Sequence, residues 1–280
     1  MIPAEFDYVR AGSVDEAIGL LAEGGPDAKL LAGGHSLLPL MKLRFAAPSL
    51  LVDISRIGEL RGVQTGGDSF RIGALTRHAD LQVRDDMGLI ATAAKQIADQ
   101  QVRNRGTIGG SLANGDTAAD LPAVLLALEG SVIVRGTDGE REIAAADMFQ
   151  GYLSTAVAPG EVLTEVRVPA LTGYGFGYEK FNRRSEDWAM VGVSALVKAN
   201  DGVCEDVRIG LTHMGSTPLR ASAAEDALRG QPLDDERIAA AAALAAEGTS
   251  PLGDLNASPE YKRHLAQVLT RRALKTAAAA

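Results

Sequence analysis

Two Gly-Gly loops constrain what this chain can fold into more than any other feature. The first loop, Ala32-Gly33-Gly34-His35-Ser36, directly follows an apolar run at 28–32 that is typical of a short buried strand. The second, Thr107-Ile108-Gly109-Gly110-Ser111, follows a helical pattern and a basic run. Glycine has no Cβ, so such loops can turn sharply and expose successive backbone N–H groups, which form an anion-binding nest. Two such loops could hold a pyrophosphate from both sides.

Neither loop is specific on its own. A Gly-Gly pair after a strand is most often only a turn, so a binding or scaffold protein with two such turns is an open alternative. Neither loop contains the Gly-Lys-Ser/Thr of a Walker A sequence or the Gly-x-Gly-x-x-Gly of a dinucleotide fingerprint. The loops therefore do not support a Rossmann site for NAD or FAD.

The composition narrows the class of protein. The 280 residues carry a net charge of −8, which disfavours nucleic-acid binding because phosphate contacts require clustered Lys and Arg. The single cysteine, Cys204, excludes an intrachain disulfide scaffold, and an iron–sulfur cluster needs about four thiolates. The four histidines lack metal-ligand spacing, so we predict no metal site. The sequence has neither the pattern of a signal peptide nor an apolar run of about 20 residues, so we expect a cytoplasmic protein without a membrane span.

The periodicity of the chain predicts an α+β fold in three parts. Residues 1–55 combine a helix, which the capping box Ser13–Glu16 opens, with short buried strands. Residues 56–172 mix helices and strands, and residues 173–280 contain strands followed by helices. Within these parts the patterns predict a helix at 89–101, a helix that opens at Ser216-Thr217-Pro218, and a frayed tail at 276–280.

Both loops resemble the flavin loops of a known family. The run from Ala32 to Arg44 resembles the first flavin loop of molybdenum-hydroxylase medium subunits of the carbon monoxide dehydrogenase type, and the run from Arg103 to Ser111 resembles the second. The resemblance extends over essentially the whole chain, including Val168-Pro169 and Glu179-Lys180-Phe181. The wider family includes the flavin subunits of xanthine dehydrogenase and aldehyde oxidase.

The resemblance implies a fold and a set of cofactor-binding residues. The fold is an FAD-binding region of two subdomains, like that of vanillyl-alcohol oxidase, followed by a smaller domain of antiparallel strands and helices. The two loops would hold the FAD phosphates, and three later residues would contact the cofactor. Ser111 departs from the Asn that is frequent in the family, which affects its side-chain contact and not the backbone. The implied residues are Leu31, Ala32, Gly33, Gly34, His35, Ser36, Thr107, Ile108, Gly109, Gly110, Ser111, Asp120, Leu163 and Lys180.

Simpler roles are open for several of these residues. Asp120 precedes a Leu-Pro helix start and could be its N-cap, Leu163 could be core, and Lys180 could be a solvated strand residue. The only tryptophan, Trp188, could lie near the flavin, although packing is the favoured interpretation. Structural or surface roles are expected for His78, His213 and His264, and a core or surface role without redox activity for Cys204.

The resemblance also implies a division of labour. The chain would be the electron-transfer subunit of a molybdenum hydroxylase, most simply an aerobic carbon monoxide dehydrogenase, without catalytic residues of its own. A large molybdenum-cofactor subunit and a small subunit with 2Fe–2S clusters would be its partners, in a dimer of heterotrimers that could associate with the inner face of the membrane. Electrons would pass to an external acceptor such as a quinone. A related xanthine, aldehyde or N-heterocycle dehydrogenase is one alternative, and a free-standing flavoprotein oxidase is another.

Overall fold

The computed structural model describes residues 2–279 and begins with a small α/β unit. Its parallel sheet has the strand order β1-β3-β2, and the helix α1 packs on it through Val14, Ala17, Ile18 and Leu21. The predicted start of this helix is confirmed, because Ser13 Oγ accepts the N–H of Glu16 at 3.1 Å. The elements are β1 (Asp7–Arg10), α1 (Val14–Gly24), β2 (Ala28–Leu31), α2 (Leu37–Leu43) and β3 (Leu50–Asp53).

The central part of the chain forms an antiparallel sheet covered by short helices. The strand order is β4-β5-β10-β6-β7, and β8 and β9 form a separate pair. Apolar residues of the helices and of the sheet share one core. The elements are β4 (Val63–Gly66), β5 (Ser69–Gly73), α3 (His78–Leu81), α4 (Leu89–Lys95), α5 (Gln100–Arg103), α6 (Ile108–Asn114), α7 (Asp120–Ala127), β6 (Ser131–Gly136), β7 (Gly139–Ala144), α8 (Ala145–Met148), β8 (Phe149–Gly151), β9 (Ser154–Thr155) and β10 (Val162–Pro169).

The last part of the chain is an antiparallel sheet backed by helices. Its strand order is β11-β12-β13-β14, and the long helix α11 packs on β11 and β12 over a separate core. The α+β fold class predicted from the sequence is confirmed, whereas the boundaries at residues 55 and 172 stay predictions. The elements are β11 (Tyr174–Phe181), β12 (Val191–Asn200), β13 (Val203–Thr212), β14 (Leu219–Arg220), α9 (Ser222–Leu228), α10 (Asp235–Ala243) and α11 (Pro259–Ala278).

Three local predictions are wrong. The helix predicted at 89–101 is broken between α4 and α5, because Ala98 has φ +41° and Asp99 Oδ1 accepts the N–H of Val102 to start a new helix. No helix begins at residues 216–218, since Leu219 first pairs with β13. The tail is helical as far as Ala278, whereas residue 280 lies outside the described residues.

None of the helices within residues 2–279 combines the length and the apolar character that a membrane-spanning helix requires.

Candidate functional site

A cleft of about 660 Å³ lies where the three parts of the chain meet. Its volume falls within the roughly 300–1,000 Å³ that is typical of small-ligand sites. The first part contributes β2 and the first loop, the central part contributes the second loop and the turn at 157–161, and the last part contributes Lys180 and the segment 186–188. No single part of the chain encloses this space.

The first loop presents unpaired backbone donors. Gly34 has φ +79°, a left-handed conformation that glycine adopts without strain, and it turns the chain from β2 into α2. The N–H groups of Gly33, Gly34, His35 and Ser36 find no acceptor among residues 2–279. Successive N–H groups that line a cleft at the start of a helix suit the oxygens of a phosphate or pyrophosphate. The loop therefore has the geometry of an anion site.

The two loops lie against each other. A Cβ built on Gly33 would come within 2.4 Å of the backbone oxygen of Arg105, just before the second loop. Contact this close is possible only without a side chain at residue 33. The two motifs, more than 70 positions apart in the sequence, therefore belong to one surface.

The second loop does not offer the backbone nest that the sequence predicted. Its N–H groups are paired within the protein: Ile108 donates to the oxygen of Thr76 at 3.0 Å and Gly109 to that of Ala74 at 2.9 Å. The N–H of Gly110 is bonded to the Oγ1 of Thr107 at 3.2 Å. These bonds anchor α6 on the central sheet. The second loop can therefore let a ligand approach its backbone closely and can offer side-chain hydroxyl groups, but it does not offer a row of free N–H donors.

A buried ion pair lines the cleft. Lys180 Nζ lies 3.0 Å from Asp120 Oδ2 and 3.0 Å from the backbone oxygen of Gln96, and its side chain is only 2% exposed. The other carboxylate oxygen of Asp120 accepts the hydroxyl of Tyr178. Asp120 is the first residue of α7 and not its N-cap, and Lys180 is not a solvated strand residue, so both of these simpler interpretations are wrong.

Burial dominates the ionisation of this cluster. It raises the pKa of the Asp120 carboxyl, while the Lys180 ammonium and the Tyr178 hydroxyl oppose that shift. Burial and the neighbouring carboxylate raise the pKa of Tyr178 well above its ordinary value, so its hydroxyl stays a donor. The cation of Lys180 is thus held at the cleft by a carboxylate whose position a neutral tyrosine fixes.

Thirteen of the fourteen residues implied by the resemblance line this cleft. Leu163 does so from the bulge in β10 while it also belongs to the central core, so its two interpretations are compatible. Ile108 is the exception, because its side chain is buried in the same core. The thirteen are Leu31, Ala32, Gly33, Gly34, His35, Ser36, Thr107, Gly109, Gly110, Ser111, Asp120, Leu163 and Lys180.

Sequence reasoning missed several residues that line the cleft. His78 is buried beside the second loop, and burial, with smaller contributions from His35 and Arg103, lowers its pKa to about 4. Its Nδ1 has no partner among residues 2–279. Trp188, favoured as a packing residue, is 57% exposed and lines the cleft. Its status as the only tryptophan was the one available signal, and the turn at 157–161 carried none.

The remaining singled-out residues lie elsewhere. Cys204 is buried in the core of the last part, where burial raises its pKa to about 11. His264 is exposed on α11, and His213 follows β13. Within residues 2–279 no group of three or more His, Cys, Asp or Glu side chains is arranged to hold a metal ion.

Comparison with known proteins gives consistent matches. The family model described as "FAD binding domain in molybdopterin dehydrogenase" matches residues 4–171, and "CO dehydrogenase flavoprotein C-terminal domain" matches residues 176–277. The carbon monoxide dehydrogenase medium chain of Hydrogenophaga pseudoflava is 43% identical over 99% of this chain and 98% of its own length.

A second relative and a solved structure are also similar to this chain over nearly its whole length. The 6-hydroxypseudooxynicotine dehydrogenase complex subunit alpha of Paenarthrobacter nicotinovorans is 41% identical over 99% of this chain and 96% of its own. A solved structure of carbon monoxide dehydrogenase from Hydrogenophaga pseudoflava, which lacks the Mo-pyranopterin moiety of the molybdenum cofactor, contains a chain with a TM-score of 0.97 and 46% identity. That match covers 100% of this chain and 99% of the other.

Proposed function

The chain belongs to the family of FAD-binding medium subunits of molybdopterin dehydrogenases, and from this premise we propose that it binds FAD in the cleft and relays electrons within a molybdenum hydroxylase complex. Its partners would be a molybdenum-cofactor subunit and an iron–sulfur subunit in a dimer of heterotrimers. An external acceptor such as a quinone would take the electrons. The proposal includes a division of the chain into parts at 1–55, 56–172 and 173–280.

The observation that carries the proposal is the meeting of unpaired N–H donors and a buried cation in one cleft. The donors of the first loop suit a pyrophosphate, and Lys180 lies in another part of the same cleft. The residues therefore fit FAD. When bound, FAD supplies the capacity to accept electrons in pairs and to release them singly.

The chain's own residues would set the environment of the cofactor. The backbone of residues 33–36 would bind the phosphates, with Ser111 supplying a hydroxyl donor from the second loop. Lys180 would place a fixed positive charge that favours negative charge on the reduced ring, because an ammonium group with little exposure is weakly screened. Leu163 and Trp188 would exclude water from the cleft.

The choice of substrate for the whole complex belongs to the partner subunits in this proposal. Carbon monoxide dehydrogenase is the first candidate for the complex. The 41% identity to a subunit of 6-hydroxypseudooxynicotine dehydrogenase favours a related N-heterocycle hydroxylase as the second. Cys204, the only thiol of the chain, is buried in a core, so clusters would have to lie on another chain.

The test is the flavin content of a Gly34→Val variant. A Cβ at residue 34 is strained at the left-handed φ of +79° and would lie 2.9 Å from the side chain of Leu38, so the loop must shift. We therefore expect FAD affinity to fall about tenfold or more, from a penalty of roughly 1–2 kcal/mol. The measurement is the flavin absorbance of the purified protein, followed by titration with FAD. Denaturation is expected to release all of the flavin.

A matched control separates binding from folding. Gly19→Ala lies within α1, where a Cβ would meet nothing within 4 Å, and it should leave flavin content unchanged. Wild-type flavin content in Gly34→Val would contradict the assignment of the first loop. Flavin that stays attached to the denatured chain would contradict non-covalent binding.

A further inference from the structure

A hydrogen-bonded connection links α11 to the wall of the cleft. Lys262 is fully buried, and its ammonium group donates to the backbone oxygen of Leu252 at 2.8 Å and to Asp254 Oδ2 at 2.7 Å. Its third neighbour is Nε2 of His213, at 3.3 Å. An ammonium group has donors and no acceptor, so Nε2 must offer its lone pair. The proton of the neutral His213 ring is therefore on Nδ1.

This Nδ1–H group contacts one wall of the cleft. The Nδ1 atom of His213 lies 2.7 Å from the backbone oxygen of Ala189 and donates to it. Ala189 follows Trp188, which lines the cleft together with Glu186 and Asp187. The imidazole thus helps to fasten the end of the segment 186–189 to the last sheet, next to the backbone bond from the N–H of Met190 to the oxygen of Phe181 at 2.8 Å.

The backbone of His213 holds a second wall. Its N–H donates to the oxygen of Thr117 at 2.8 Å, and Thr117 Oγ1 donates to the oxygen of Gly215 at 2.9 Å. Three residues after Thr117 comes Asp120 of the buried ion pair. His213 makes these contacts with φ +64°, a left-handed conformation that few residues with a side chain adopt. The surrounding bonds keep it there.

We infer that His213 is a positioning residue of the cofactor cleft: it joins the Trp188 segment to the wall that carries Asp120, in the tautomer that Lys262 imposes. The claim that FAD is the molecule so positioned rests on the proposed function. Because one residue contacts both walls, removal of the ring weakens the attachment of one wall while the backbone of residue 213 still holds the other. The expected consequence is a looser cleft in a chain that still folds.

The test uses His213→Gly and the only tryptophan of the chain. Glycine adopts φ +64° without strain, so this variant removes the ring and spares the backbone. In the flavin-free protein, we expect acrylamide quenching of Trp188 fluorescence to increase and its anisotropy to fall. We expect FAD to bind about tenfold more weakly, which corresponds to the loss of one hydrogen bond of roughly 1.4 kcal/mol.

Three further variants complete the design. Asparagine adopts the left-handed conformation more readily than most residues and offers an amide donor. His213→Asn should therefore recover part of the Trp188 fluorescence signal and part of the FAD affinity. Lys262→Met removes the group that sets the tautomer of His213. It should change the quenching and the anisotropy of Trp188 fluorescence in the same direction as His213→Gly does. His264→Asn, at an exposed position of α11, should match the wild type.

The outcomes are distinct. Unchanged Trp188 quenching and anisotropy in His213→Gly would overturn the positioning role. If His213→Gly does not fold, wild-type Trp188 quenching and anisotropy in Lys262→Met would overturn it instead. Suppose instead that the Trp188 signal changes while FAD affinity equals that of the wild type in both His213→Gly and Gly34→Val. The positioning role would then stand, and the assignment of FAD to this cleft would fall.

Discussion

At the scale of single residues, buried ionisable groups concentrate around the cleft. The carboxylate of Asp120 accepts hydrogen bonds from Lys180 and Tyr178, whereas the buried imidazole of His78 has no partner for Nδ1 among residues 2–279. Burying a polar group without a hydrogen-bond partner reduces stability, and it does so more strongly when the group is charged. Such groups are more frequent at ligand sites than in ordinary cores, which agrees with the location of the cleft.

The burial of His78 predicts a specific pH dependence of the free energy of unfolding. Burial lowers its pKa from 6.5 to about 4, so below pH 6.5 the unfolded chain takes up a proton that the folded chain refuses. Stability should therefore fall as the pH decreases from 6.5 to about 4, by about 2 kcal/mol between pH 7.5 and 5 for this group. Urea unfolding at both pH values measures it.

The contribution of His78 appears as a difference between variants, since carboxylates also titrate in this range. In His78→Gln the loss of stability on acidification should be smaller by that amount. His264→Gln, exposed on α11, should keep the wild-type pH dependence. Equal pH dependence in all three proteins would mean that the folded chain accommodates a charged His78.

At the scale of helices and strands, the sequence predicts an element where a local signal governs it. The capping box at Ser13 starts α1 as expected, and residues 173–280 contain strands followed by helices, as their patterns predict. Where long-range pairing decides, the local signal misleads. Ser216-Thr217-Pro218 has the chemistry of a helix start, yet Leu219 pairs with Leu211 and delays the helix to Ser222. The break near Ala98 is local but leaves no periodic signal, since it depends on the Asp99 cap and on Arg103, which donates to the oxygens of Ile97 and Ala98.

The packing of α11 on β11 gives a prediction about element spacing. A Cβ on Gly177 would lie 2.3 Å from the backbone oxygen of Ala273, so helix and strand touch without an intervening side chain. Gly177→Ala should force them apart and destabilise the chain by about 1–3 kcal/mol or more. Gly19→Ala in α1 meets nothing within 4 Å and should instead stabilise by about 0.5–1 kcal/mol. Opposite shifts of the urea midpoint would support this close approach, and equal shifts would contradict it.

At the scale of the whole molecule, the cleft exists only because the three parts of the chain meet. A motif comparison found both loops, Asp120, Leu163 and Lys180, since each belongs to a recognisable run of sequence. It could not find the turn at 157–161, which carries no motif, or His78, which is placed by the bond from its N–H to the oxygen of Gly106 at 3.1 Å. Nor could it show that the N–H groups of the second loop are already bonded.

This architecture leads to a prediction about what the chain does without partners. The cleft has a buried cation and loop N–H groups without an acceptor among residues 2–279, while burial lowers the pKa of His78 to about 4 and Tyr178 is bonded to Asp120. Neither His78 nor Tyr178 is therefore free to exchange protons with a substrate. We expect that carbon monoxide, purines and aldehydes will not bleach the flavin of the purified chain under anaerobic conditions. Bleaching should occur when a molybdenum subunit and an iron–sulfur subunit are added together.

The two partners distinguish the relay from a complete oxidase. With the iron–sulfur subunit alone, the chain should stay oxidised, because substrate electrons would have no entry point. With all three subunits, the rate of bleaching should follow the amount of molybdenum subunit. Dithionite, which reduces flavins directly, serves as the positive control for a functional cofactor. Rapid bleaching of the single chain by substrate would establish a free-standing flavoprotein oxidase and overturn the relay, whatever the outcome of the Gly34→Val experiment.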